Sequence, residues 1–221
     1  MRDFPDDEVI TSVGASSGLR DFPFDESLYL KPRFAPFFDG LAQYAVISDP
    51  SPFAVPDGID FEFSLKLIRT SWPGGAFAFA SRSGTGYGIN IYLSGNGDQG
   101  SGSIGVFGTS LAAVGFSANV EYLISVKRLG SLWSLSVNGN IVSEKETNLI
   151  AIPSINSSTI AALDNGTFKM QGVVYDLSLS TGGILMYSLP MSQKSHAIQT
   201  PSIGLSVATI LNHTDAMWRN V

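Results

Sequence analysis

The chain has 221 residues, a formal net charge of −6, 44% hydrophobic and 14% charged residues, and no cysteine. Its charged fraction lies well below the roughly 25% of ordinary soluble domains, so Ser, Thr, Asn and Gly must supply much of the polar surface. Disulfides and thiolate metal sites are excluded, and an acidic chain without clustered Lys and Arg makes a poor nucleic-acid partner.

The opening residues, MRDFPDDEVI, are acidic and contain a proline, so they do not read as a signal peptide. Apolar runs break before the roughly 18 residues of a membrane helix, and no membrane insertion is expected. Residues 1–33 hold a short repeat: Arg2-Asp3-Phe4-Pro5 returns as Arg20-Asp21-Phe22-Pro23, with acids after each copy. This predicts an extended N-terminal arm that docks on a neighbouring copy through Arg2, Phe4, Pro5, Arg20, Phe22 and Pro23. A loosely ordered leader is the competing reading.

Strands begin at Phe34. Phe37-Phe38-Asp39-Gly40 leads to Tyr44 and Val46, then a turn from Ser48 to Pro52. Residues 59–68 alternate strictly, which places Ile59, Phe61, Phe63, Leu65 and Leu67 inward and Asp60, Glu62, Ser64 and Lys66 outward. Ala76 to Ala80 reads as a short strand. After the glycine turn Ser83 to Gly86, Tyr87, Ile89, Ile91 and Leu93 alternate with Asn90 and Tyr92. A weaker strand surrounds Ile104 and Val106.

The strongest local signal runs from Tyr122 to Val142. Tyr122, Ile124 and Val126 share one face of a strand; Trp133, Leu135 and Val137 share a face of the next, with Trp133 read as core. Asn138-Gly139 suits the φ > 0 positions of a type I′ hairpin. Further strands are expected at Leu149–Ile152, at Thr159–Leu163 and around Val173, Tyr175, Leu177 and Leu179, with a turn at Asp164–Gly166. Short strands separated by Gly, Asn and Asp predict an all-β antiparallel sandwich or jelly roll.

The order of Phe38-Asp39-Gly40, the Asp60–Leu67 strand, Tyr87-Gly88-Ile89, the Trp133–Gly139 hairpin and Phe168 to Leu177 resembles the concanavalin A-like lectin/glucanase superfamily, in its laminin-G-like branch. Where that branch often has Val-Asp-Gly, this chain has Val137-Asn138-Gly139. The resemblance covers about residues 35–180. It implies a concanavalin A-like jelly roll over 34–180, with 181–221 as a C-terminal extension packing on the sandwich or on a neighbour. The stretch from Tyr187 through Leu211-Asn212 to Trp218 resembles the tail after such modules in bacteriophage virion proteins.

Chemistry is sparse. Glucanases of this superfamily use a Glu-x-Asp-x-x-Glu strand; Asp60-Phe61-Glu62 lacks the third acid, and Glu144 and Glu146 have no partner. His196 and His213 lie in the C-terminal region, away from any nucleophile elbow. Asp39, Asp49, Asp57, Asp98 and Asp164 sit in loops where calcium finds oxygen ligands, yet no spacing completes a site, and Asp is a standard turn residue. No cofactor is expected, calcium being the alternative. Tyr87, Asn90, Tyr92, Asn96 and Trp72 offer the aromatic and amide groups of a glycan site; cross-strand packing or a subunit interface is the other reading of Tyr92. These observations lead to an expectation of a non-catalytic phage virion protein on the particle surface, such as a capsid decoration, held by other virion proteins and copies of itself. The alternative is a carbohydrate-binding adhesin that recognises a host-surface glycan.

Overall fold

The computed structural model describes residues 33–221 except 56–57, 72–73, 84–85, 97–98, 107–108, 148–153 and 164–165; at 87, 96, 99–106, 109, 113 and 114 it describes the backbone alone. The predicted arm and the strand expected at Leu149–Ile152 lie outside the described residues. Among the described residues sixteen strands follow in chain order: β1 Phe34–Asp39, β2 Tyr44–Ile47, β3 Phe61–Arg69, β4 Ala76–Ser83, β5 Gly86–Asn96, β6 Gln99–Val106, β7 Thr109–Ser117 and β8 Glu121–Leu129. The series continues with β9 Leu132–Val137, β10 Asn140–Glu146, β11 Ser157–Ile160, β12 Gln171–Thr181, β13 Ile184–Leu189, β14 Ile198–Gln199, β15 Ala208–Leu211 and β16 Trp218–Asn220.

They form two antiparallel sheets. The first runs β10-β9-β8-β3-β12-β1-β16, with β13 also paired to β12; the second runs β14-β15-β2-β11-β4-β5-β6-β7. Residues after 181 therefore supply strands to both sheets. β3 shows why the layers form: Phe61, Phe63, Leu65 and Leu67 are buried while Glu62 is exposed, so one face needs a second sheet. Phe53, from a 3-10 turn at Ser51–Phe53, packs between the layers against Phe79 at 5.1 Å, Tyr187 at 5.3 Å and Phe63 at 6.1 Å between ring centroids. Burying each such ring contributes a few kcal/mol, at about 25 cal/mol per Å². The Tyr187 hydroxyl donates to the Ser206 carbonyl at 2.8 Å, and burial pushes its pKa up.

The hairpin forms as read: Asn138 and Gly139 take φ of 51° and 80°, and Trp133 is fully buried. One expectation needs correction, and two features carry little signal in the sequence. Ile59 precedes β3 and is 39% exposed, because the chain turns into the strand two residues later. β7 was not foreseen; its Ala112, Ala113 and Gly115 leave a weak alternating pattern. Ile141 and Val142 are exposed, since β10 lies at a sheet edge with a register shift there.

Candidate functional site

The β1–β2, β3–β4 and β11–β12 connections meet at one end of the sandwich. β1 ends at Asp39, opposite Gln171, and β3 ends at Arg69, opposite Gly172. Arg69 is 2% exposed. Its guanidinium donates to the Leu93 carbonyl of β5 at 3.3 Å and to the Gly74 carbonyl of the β3–β4 connection at 2.9 Å. One side chain thus ties the two sheets and the loop together. Burial lowers its pKa to about 10, opposed by the charge of Tyr92.

On the outward face of the second sheet, Phe77 of β4 pairs with Tyr92 of β5, ring centroids 5.0 Å apart. The Tyr92 phenol lies over Gly75, where any Cβ would collide with it. Phe168, from the β11–β12 connection, stands edge-on to Phe77 at 6.2 Å. Its carbonyl accepts the Phe77 N–H at 3.0 Å, it has φ of 48°, and it remains 56% exposed. A left-handed phenylalanine is strained, and such strain concentrates at functional sites. Next to it, Lys169 places its ammonium 5.7 Å from the Tyr44 ring centroid. Asp39, Gly40, Leu41, Arg69, Lys169 and Gln171 line a hollow of about 230 Å³, to which Lys169, the residue after Phe168, connects the aromatic ridge along the chain.

Asp39 is built into a turn. Its Oδ1 accepts the N–H groups of Leu41, Ala42 and Gln43 at 2.8, 2.9 and 3.0 Å. Burial pushes its carboxyl up, but these donors outweigh it and hold the pKa below the usual carboxylate range. Asp49 caps its own turn through the Ser51 N–H and hydroxyl, both at 2.9 Å. Asp57, Asp98 and Asp164 lie outside the described residues. No group of three or more His, Asp or Glu among the described residues is placed to hold a metal ion.

Of the predicted glycan residues, Tyr92 belongs to the ridge. Asn90 shares its face of β5 but is only 3% exposed. Its Nδ2 donates to the Gly88 carbonyl at 3.3 Å and its Oδ1 has no partner. That corrects the expectation of an exposed amide: alternation assigns a face, not a depth. Tyr87 is paired with Arg82 and Tyr92 with Phe77, so five residues, about 17 Å of strand, separate them. Asn96 pairs with Gln99 at the β5–β6 hairpin, and Trp72 lies outside the described residues. Phe77, Phe168 and Lys169 were not read as site residues. Their meeting depends on a contact between β4 and a loop some ninety residues later, for which the sequence carries no local signal.

A larger cleft of about 610 Å³ lies at the opposite end of the first sheet, lined by Ile59, Asp60, Glu62, Lys127, Leu129 and Gly182 among others. Its charges are engaged: Asp60 accepts the Gly130 N–H at 2.8 Å and Glu62 lies 3.8 Å from Lys127. Phe61, the aromatic of its lining, is 2% exposed and packs on Trp133. Glu144 and Glu146 are exposed on β10. His213 accepts the Trp218 indole N–H at 3.2 Å. None of these groups forms an acid–base pair around a cleft.

No family model matches the sequence, and no curated protein matches it. Solved structures do. A proposed carbohydrate binding protein from Bacteroides ovatus matches with TM-score 0.64 at 9% identity, over 86% of this chain and 60% of that one. The native heptameric SAP-like pentraxin of Limulus polyphemus matches with TM-score 0.51 at 10% identity, over 68% of this chain and 76% of that one. The chain is therefore an antiparallel β-sandwich of the jelly-roll, lectin-like kind. At these identities the likeness is one of fold.

Proposed function

We propose that the chain is a non-catalytic carbohydrate-binding module that holds sugar at the Tyr92–Phe77–Phe168 ridge. One observation carries this reading: Phe168 is kept in a strained conformation yet remains 56% exposed as a residue, edge-on to Phe77 in a row that continues to Tyr92. Such rings present rigid apolar faces with a polar tip at Tyr92, and the C–H faces of sugar rings pack on surfaces of this kind. The Bacteroides ovatus neighbour supports the reading by its proposed activity. A glycan array tests it: binding to at least one saccharide should be lost in Phe168→Ala and Tyr92→Ala. A blank array, or a hit untouched by both substitutions, overturns it.

A second reading keeps the setting expected from the sequence, a phage particle surface with protein partners. It rests on β13, where Ile184, Leu185 and Met186 are exposed at 67%, 41% and 49%, an apolar patch that suits a protein contact. An adhesin on a particle would unite both readings. Immunogold labelling of intact particles, if the chain is found in none, removes the second.

A further inference from the structure

We propose that the ridge takes an acidic sugar, with the carboxylate of a uronic or sialic residue held by Lys169 beside the Asp39 turn. This rests on the glycan-binding reading and adds the charge of the ligand.

Three observations point to it. First, Lys169 follows Phe168 directly in the chain, so the residue next to the exposed ring carries an ammonium and lines the hollow. A sugar packed on Phe168 would bring an equatorial carboxylate toward Lys169 and the 230 Å³ hollow it lines. Second, Lys169 rests over the Tyr44 ring at 5.7 Å, and among the described residues no carboxylate lies within ion-pair distance of it. Lys66 and Lys127 differ, at 3.5 Å from Asp176 and 3.8 Å from Glu62. A cation left on an aromatic face is available to an incoming anion. Third, among the described residues the lining of the hollow carries two cations, Lys169 and the buried Arg69, and one carboxylate, Asp39, on a chain whose net charge is −6. The Oδ1 of that carboxylate already accepts three backbone N–H groups. A positive spot on an acidic surface steers and orients an anionic ligand. A neutral sugar would gain nothing from it.

The test is calorimetric titration of the full chain with trigalacturonate, its methyl ester, sialyllactose and lactose. Methyl esterification removes the charge and keeps the sugar skeleton. At least one acidic probe should bind more tightly than its neutral counterpart, and the difference should shrink as salt is raised. Lys169→Met should weaken the acidic probe about fivefold and leave the neutral one unchanged. Lys169→Arg should restore most of the difference, and Phe168→Ala should weaken both forms. A Lys169 effect confined to trigalacturonate or to sialyllactose supports the inference and names the acid. Equal affinity for acid and neutral forms, or an equal loss of both in Lys169→Met, overturns it while glycan binding stands. If no probe binds here and the array is also blank, the glycan-binding reading fails with it.

Discussion

The Tyr92 ring lies across the β4–β5 ladder from Phe77, centroids 5.0 Å apart, with its phenol directly over Gly75. Glycine is thus required at 75 by the ring above it, not by its own backbone, whose φ lies outside the left-handed region. Gly75→Ala should displace Tyr92 and cost about 1–3 kcal/mol of stability, as overpacking does. Glycan affinity should fall as far as it does in Tyr92→Ala. Because both changes act through one ring, the double variant should bind no worse than Tyr92→Ala alone. Additive losses in that cycle would show that Gly75 acts by another route.

Phe168 separates stability from binding. Its φ of 48° is one that glycine adopts freely. Phe168→Gly should therefore unfold at higher denaturant than Phe168→Ala, by about 1 kcal/mol, although both lose the ring. Neither should bind glycan. Urea unfolding of the two variants checks the ordering, and an Ala variant as stable as the Gly one would deny the strain.

The sequence made the β3 alternation and the Asn138-Gly139 turn legible because each is decided within a few residues. Phe61, Phe63, Leu65 and Leu67 are buried as the period of two requires, and both turn residues have positive φ. β7 escaped because Ala112, Ala113 and Gly115 blur its pattern. The site was half legible. Tyr92 stood out as an aromatic on a polar face. Asn90, on the same face, is buried, and Tyr87 belongs to the other end of the strand. Phe168 and Lys169 escaped because the Phe77–Phe168 hydrogen bond and the left-handed φ are products of tertiary folding.

Asp39 predicts a pH dependence. Its folded pKa lies below the ordinary value, through the N–H groups that outweigh the effect of burial. The unfolded chain therefore takes up its proton first as pH falls. The contribution is fully present above the usual carboxylate pKa and is lost as pH drops through the lowered one. Asp39→Ala should cost about 1–2 kcal/mol at neutral pH, and the gap to wild type should close on acidification. Urea midpoints measured from neutral to acid pH check this; a gap independent of pH would assign the loss to turn geometry alone.

Arg69 gives the least intuitive expectation. Hydrogen bonds from its guanidinium to the Leu93 and Gly74 carbonyls join the second sheet to the β3–β4 connection. Arg69→Met leaves both carbonyls without that donor, a loss of roughly 1–3 kcal/mol. Burial also holds the folded pKa near 10, below the ordinary guanidinium range, so the unfolded state binds the proton more tightly and the buried charge opposes folding at neutral pH. Methionine removes that opposition. Lysine keeps a buried charge, and a single ammonium cannot reproduce the planar fork that reaches two carbonyls. Arg69→Lys should therefore be less stable than Arg69→Met, the reverse of a ranking by chemical similarity. Both should speed amide exchange at Gly75 and Ala76, as the β3–β4 connection loses its tether. Thermal unfolding of the pair decides the order, and a lysine variant more stable than the methionine one would show that charge, not the fork, is what β5 and the loop require.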